Sequence, residues 1–217
     1  MRRPVRPLVA LLAVTGAATL VGCGIGTDDQ PRALPVSTST TTTAPTDGDS
    51  ANDRAAAVLW FVSGSDVVPV SARLPDRELG TVFNELLAPS DATLGNLASS
   101  IPSGTQLRKL SLDQGILDIN LSSEFQNLAG PARQQAIAQM VLTATEASGV
   151  ESVEFSVEGQ PIRVSSPERG DVTTVTACDF SSLLPTAQEA DANRLSPATV
   201  QQLDARRSQL DQQCLSR

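Results

Sequence analysis

Leu107-Arg108-Lys109-Leu110-Ser111-Leu112-Asp113-Gln114-Gly115-Ile116-Leu117-Asp118-Ile119-Asn120-Leu121 consists of two alternating runs around a short polar break. Leu107, Lys109 and Ser111 alternate with Arg108, Leu110 and Leu112. Asp113-Gln114-Gly115 supplies turn chemistry. Beyond it Ile116, Asp118 and Asn120 alternate with Leu117, Ile119 and Leu121. A period of two on either side of a turn is a β-hairpin. Leu110, Leu112, Leu117, Ile119 and Leu121 are expected on one buried face, with Asp118 and Asn120 on the opposite, solvated face.

Downstream of the hairpin, Gly130-Pro131 opens a longer helix, proline being tolerated in a first turn. Ile137, Met140, Val141 and Ala144 step by three and four along it, and Gly149 is its expected end. Val153, Phe155 and Val157 then share one face, with Glu151, Glu154 and Glu158 largely off it, and Gly159-Gln160 turns the chain into Pro161-Ile162-Arg163-Val164. Upstream, Ala56 to Val62 is a short apolar run closed by Ser63-Gly64-Ser65-Asp66. Val67 to Arg73 reads as a second strand, which Pro69 assigns to an edge or bulge. Leu79, Val82, Phe83, Leu86 and Leu87 mark one face of a helix that Pro89 closes. The expected fold is therefore α/β (α+β): a single mixed sheet with two packed helices, in the order ββ-α-ββ-α-ββ. A C-terminal helical appendage follows. There Ser196-Pro197 is a capped start, and Val200, Leu203, Arg207, Leu210 and Cys214 form a narrow stripe.

In this order, Val58-Leu59-Trp60-Phe61-Val62, Val67 to Arg73, and Glu85-Leu86-Leu87-Ala88-Pro89 carry a resemblance. Ser100 to Thr105, Gly115 to Phe125, Ala138 to Thr145 and Gly149 to Pro161 continue it. Together they resemble the GerMN domain of sporulation and germination proteins, over roughly Ala56 to Arg163. Leu87-Ala88-Pro89 departs from the family, where a Gly-Pro pair is more usual, and a single copy is present. The resemblance implies a small α/β module on envelope lipoproteins, of actinobacterial type among others, used in assembly or scaffolding. It offers no established active-site residues to carry over.

The N-terminus addresses the module. Arg2, Arg3 and Arg6 precede the apolar run Leu8 to Val21, about 14 residues, which fits a signal-peptide core and falls short of the roughly 20 needed to cross a bilayer. Leu20-Val21-Gly22-Cys23 resembles a lipobox, which implies cleavage before Cys23 and a diacylglycerol anchor on it. Acyl chains such as palmitate anchor through about 0.8 kcal/mol per buried CH₂. From Gly24 to about Asn52, Thr, Ser, Pro, Gly and Asp dominate, a composition that reads as a disordered tether. The expected layout is 1–22 signal peptide, 23–54 lipidated Cys23 and tether, 55–165 GerMN-like domain, and 166–217 C-terminal extension with helix.

Composition narrows the chemistry. The chain has no His, which removes imidazole bases and His metal ligands, and no metal or cofactor is expected. Asp47, Asp49 and Asp53 lack the ligand pattern of a calcium loop, since Ala51 stands where a ligand belongs. With Cys23 lipidated, Cys178 and Cys214 remain, read as one disulfide in an oxidising compartment; two free thiols are the alternative. The net charge of −8, more negative once the three N-terminal arginines are removed, disfavours nucleic acid as a partner.

Glu85, Asp113, Asp118 and Glu124 are the acidic candidates for catalysis, but their spacing asks for no carboxylate pair. Ser63 and Ser65 lack a nucleophile elbow, and Lys109, the sole lysine, sits on a hairpin strand. The chain is therefore expected not to be an enzyme. The function expected is a membrane-anchored extracytoplasmic binding or scaffolding module. Its partner would be a cell-envelope protein or peptidoglycan; the alternative is a peptidoglycan-acting enzyme or an accessory to one. Ser103, Gly104 and Thr105, at the end of the long Pro89 to Gly104 loop, form the candidate recognition loop. Trp60 reads as core rather than as an interface anchor.

Overall fold

The computed structural model describes residues 54–215. The expected signal peptide, Cys23 and the Ser/Thr/Pro-rich tether lie outside these residues. Strands β1 (Ala55–Ser63) and β2 (Asp66–Leu74) pair antiparallel from Ala55↔Leu74 to Ser63↔Asp66. Gly64 takes φ +64° in the two-residue turn between them, a region where a side chain would be strained. Helix α1 (Leu79–Leu87) buries Val82, Phe83, Leu86 and Leu87, the face that the three-and-four spacing predicts. A single turn, α2 (Asp91–Leu94), is capped by Ser90.

The hairpin that opened the sequence reading is β3 (Leu107–Asp113) and β4 (Ile116–Leu121), joined by Gln114 and Gly115, both at positive φ. Two such residues between paired strands give the turn whose twist suits a hairpin. A 3₁₀ turn (Ser123–Asn127) and α3 (Gly130–Ala144) then cross over to β5 (Ser152–Val157), which lies parallel to β4. Glu158 and Gly159 turn the chain into β6 (Gln160–Pro161). Strands β7 (Val164–Ser166) and β8 (Gly170–Val172) make a separate small hairpin, and β9 (Thr174–Val175) returns to pair with β5. A second 3₁₀ turn (Ala177–Leu183), α4 (Ala187–Ala192) and α5 (Pro197–Cys214) complete the described chain.

The architecture is mixed α/β, but the strands do not join into the one sheet expected. They form the β1–β2 pair, a five-stranded group β3-β4-β5-β6 with β9 also on β5, and the β7–β8 pair. The cause lies at the edge of β1 facing away from β2. There helix side chains and a loop, rather than another strand, satisfy the backbone. Helix α3 stops at Ala144 instead of reaching Gly149; of the expected last strand, Pro161 to Val164, only Pro161 joins this sheet, together with Gln160 from the expected turn, and Val164 starts β7 instead.

Leu117, Ile119 and Leu121 are fully buried as expected, whereas Leu112 is 44% exposed. Leu112 stands on the outermost strand near the turn, where a side chain has neighbours on one side only. A bulge between Leu107 and Lys109 offsets the alternation, so Leu107 joins Leu110 against the core instead of facing water. The core itself is continuous from Leu59 through Phe155 to Phe180, Leu203 and Leu210, so the C-terminal helix packs as part of it.

Candidate recognition surface

Helix α3 is the organiser of the surface. From Ala136 to Ala144 every residue is buried, including Gln139 and Thr143. Inside a protein such polar groups cost free energy unless hydrogen-bonded. Trp60 N–H donates to Thr143 Oγ1 at 3.0 Å, and Gln139 Nε2 donates to the Trp60 carbonyl at 3.0 Å. One turn earlier, Gln135 Nε2 donates to the carbonyls of Gly64 (3.3 Å) and Ser65 (3.1 Å). Gln135, Gln139 and Thr143 fall at spacings of four, so one stripe of the helix caps the free edge of β1. Opposite Trp60 stands Pro69, in a pair whose backbone groups face outward, so its missing N–H costs the β1–β2 ladder no hydrogen bond.

The same stripe holds the loop that carries the candidate recognition residues. Ser100 N–H donates to Gln139 Oε1 (2.8 Å), and Ser100 Oγ donates to Gln135 Oε1 (3.0 Å). Val62 and Ala98 exchange two backbone hydrogen bonds, which ties the loop to β1 as well. Beyond Ile101, itself buried, Thr105 N–H donates to the Pro102 carbonyl (3.1 Å) and Gly104 sits at φ +84°. This is a tight turn with exposed Ser103 and Gly104 at its tip. Thr105 does not join them: it is 4% exposed, and its hydroxyl has no hydrogen-bond partner among the described residues. The tip of the expected loop is therefore two residues on a rigid stalk.

A cleft of about 330 Å³ opens on the other side of the β1–β2 hairpin, lined by Val58, Leu79, Val82, Arg77, Glu146 and Gln202. Trp60 is fully buried, as core packing predicts, and its indole N–H donates to Glu146 Oε1 at 3.2 Å. Glu146 also lies 3.5 Å from the Nε of Arg206 on α5. Arg206 is 5% exposed and donates to Gln209 and Thr145. Burial pulls the guanidinium of Arg206 below its ordinary pKa, and Glu146 opposes that shift. Cys178 and Cys214 form the disulfide expected from their even count, so α5 is fixed at its last residue.

The carboxylates singled out for catalysis have structural duties. Glu85 accepts from Ser90 N–H and Oγ; burial would raise its carboxyl, but the Thr93 and Ser90 hydrogen bonds win and hold it low. Asp118 accepts from Ser156 Oγ at 3.3 Å, Asp113 ends β3, and Glu124 stands in the first turn of the 3₁₀ segment. No hydrogen bond or ion pair among the described residues joins any two of the four. Ser65 donates to Asp66, and Lys109 is exposed on β3.

Sequence reading passes over Asp179, the one buried carboxylate among the described residues. Asp179 accepts from Thr176 N–H at 2.7 Å and pairs through both oxygens with Arg169, pinning the β7–β8 hairpin to the following 3₁₀ turn. Burial pushes its carboxyl up, yet the Arg169 and Thr176 hydrogen bonds outweigh that and hold it below the usual carboxylate value. Thr176-Ala177-Cys178-Asp179 has the capping-box spacing with Asp in the third position, a legible signal.

Among known proteins, a family model described as "Germane: Sporulation and spore germination" matches residues 53–163. The tandem GerMN domains of the sporulation protein GerM from Bacillus subtilis align at 17% identity and TM-score 0.48, over 58% of this chain and 47% of that one. The chain thus spans about half the length of that structure. The first GerMN domain of the same protein aligns at 17% identity and TM-score 0.45, over 55% of this chain and 92% of that one. A putative lipoprotein from Clostridium perfringens aligns at 23% identity and TM-score 0.35, over 49% and 76%. No curated protein matches the chain. Because the family model spans half of the sequence, the chain belongs to the Germane (sporulation and spore germination) family and carries a GerMN-like domain.

Proposed function

We propose that the chain is a lipoprotein, anchored through Cys23 to the outer face of the cytoplasmic membrane, whose GerMN-like domain is a binding or scaffolding module of the cell envelope. The observation that carries this reading is Leu20-Val21-Gly22-Cys23, after a basic start and apolar run and ahead of a Ser/Thr/Pro-rich segment and a family domain. The reading makes the protein a non-enzyme. It is supported by three of the five carboxylates whose acidity shifts, Glu85, Asp179 and Glu189, which spend their oxygens on turns and caps; Glu124 is held low by Ser122, and Asp66, raised by burial and by Glu189, accepts from Ser65 and Asn193. A rigid turn at Ser103 and Gly104, held through Gln135 and Gln139, suits recognition of a partner without prior ordering. Peptidoglycan is the first partner to test. A membrane-associated protein with a basic face is the second, because the chain carries a net charge of −8.

The test sediments the full chain, released from lipid by Cys23→Ala, with purified sacculi at low and moderate salt. Saturable, salt-tolerant binding that weakens in Ser103→Asp is the expected result. If sacculi leave the chain in solution, cross-linking of the intact lipoprotein in membranes should capture the basic-faced protein. Failure of both overturns the binding reading.

A further inference from the structure

Strand β3 ends the five-stranded group, and among the described residues no backbone hydrogen bond reaches its outer edge. The two-residue turn after it makes Asp113↔Ile116 a hydrogen-bonded pair, and such pairs alternate along an antiparallel ladder. Ser111↔Asp118 is then bonded too, so the backbone groups of Leu110 and Leu112 point outward, unpaired. Side chains alternate on the same strand. Lys109, Ser111 and Asp113 lie on one face; Leu110 and Leu112 lie on the other, with Leu112 the most exposed large apolar side chain of the strand at 44%.

We propose that β3 is a self-recognition edge that pairs antiparallel with β3 of a second copy of this chain, centred on Ser111. In that register Lys109 stands opposite Asp113 of the other copy, twice, and Leu110 stands opposite Leu112, twice. Leu110 and Leu112 are also the residues whose N–H and C=O groups face outward, so charge, apolar contact and hydrogen bonding select the same register. Centring the pair on Leu110 would set Asp113 against Leu107, and centring it on Leu112 would set Lys109 against Gly115. Neither pairs the charges. The bulge beside Arg108 and the turn at Gln114 close the match at both ends and limit pairing with unrelated strands. Exposed ion pairs contribute little strength, so their role here is choice of register. The proposal stands on the β3 edge alone and does not depend on the anchor.

The test is oxidative cross-linking of the full chain carrying Ser111→Cys. Ser111 faces its own counterpart as a non-hydrogen-bonded pair, where Cα atoms lie about 4.5 Å apart, inside the range a disulfide spans. With copper(II) phenanthroline, the two thiols give up two protons, and two electrons pass to copper as the S–S bond forms. The expected dimer band exceeds that of the parent chain and of Ser165→Cys, an exposed position on β7, by about fivefold or more. Adding Lys109→Glu lowers the band about fivefold, and further adding Asp113→Lys restores it. A Ser111→Cys dimer no stronger than the Ser165→Cys control overturns the proposal, and so does a double reversal that stays as low as the single one.

Discussion

Replacing Gln139 with leucine removes the one side chain that joins the loop to β1 from inside the core. Its amide bridges the Trp60 carbonyl (3.0 Å) and the Ser100 N–H (2.8 Å), and the residue is fully buried. Leucine fills nearly the same volume, so the cost arises from two orphaned backbone groups. A buried group left unmade costs about 1–3 kcal/mol. Trp60 has no route to water and belongs near the top of that range; Ser100 is partly solvated and belongs near the bottom. The sum is about 3–4 kcal/mol, or a fall in melting temperature of roughly 6–16 °C for a domain of this size. Gln135→Leu is the control, since its partners are the exposed Gly64 and Ser65 carbonyls and the partly exposed Ser100 hydroxyl, all of which water can serve, and it should cost below about 1 kcal/mol. Denaturant unfolding of the full chain, followed by Trp60 fluorescence, measures both; amide exchange should quicken at Ser100 in Gln139→Leu alone. Equal costs for the two variants would refute the claim that α3 seals the β1 edge.

The disulfide closes a separation of 36 residues, for which chain entropy gives about 4 kcal/mol, so Cys214→Ser should lower the melting temperature by roughly 8–16 °C and speed amide exchange in α5 first. The Glu146–Arg206 pair should respond asymmetrically: Glu146→Gln leaves a buried cation uncompensated and costs about 2–4 kcal/mol, whereas Arg206→Met stays within about 1 kcal/mol. Urea denaturation of the two variants measures that difference. Asp179 has a depressed carboxyl, so its contribution is present above the unfolded value of 3.8 and is lost as pH falls through the lower folded value. Unfolding midpoints between pH 6 and pH 2 should therefore fall less steeply in Asp179→Asn than in the parent, from a lower starting stability.

Much of the fold is legible because local pattern and tertiary role agree. The turn residues at 113–116 fix the β3–β4 register, and the apolar spacing at 79–87 selects the face that α1 buries. With Cys23 read as a lipid acceptor, two cysteines remain and point to one bridge, and Cys178–Cys214 is that bridge. The illegible parts are those where a polar side chain serves as structure. Gln135, Gln139 and Thr143 fall outside the apolar spacing of Ile137, Met140, Val141 and Ala144, and nothing local says that a strand edge lies against them. The three-and-four spacing puts Arg207 in the stripe with Leu203 and Leu210, whereas the buried arginine is Arg206, one position earlier, because nothing local marks Glu146 as its partner. At Leu112 the alternation is right but the strand is outermost, so the face is only half covered. Of the candidate loop, Ser103 and Gly104 reach the surface and Thr105 turns inward, a distinction set by the Pro102–Thr105 turn rather than by residue type.

The most direct test of the anchored-module account is intact-mass and fragment mass spectrometry of the mature protein recovered from membranes. The account predicts a chain that begins at Cys23 bearing a diacylglycerol, and a Cys23→Ala chain that lacks the lipid and leaves the membrane fraction. A mature chain that begins elsewhere, or one with an unmodified Cys23 that still sediments with membranes, would contradict it.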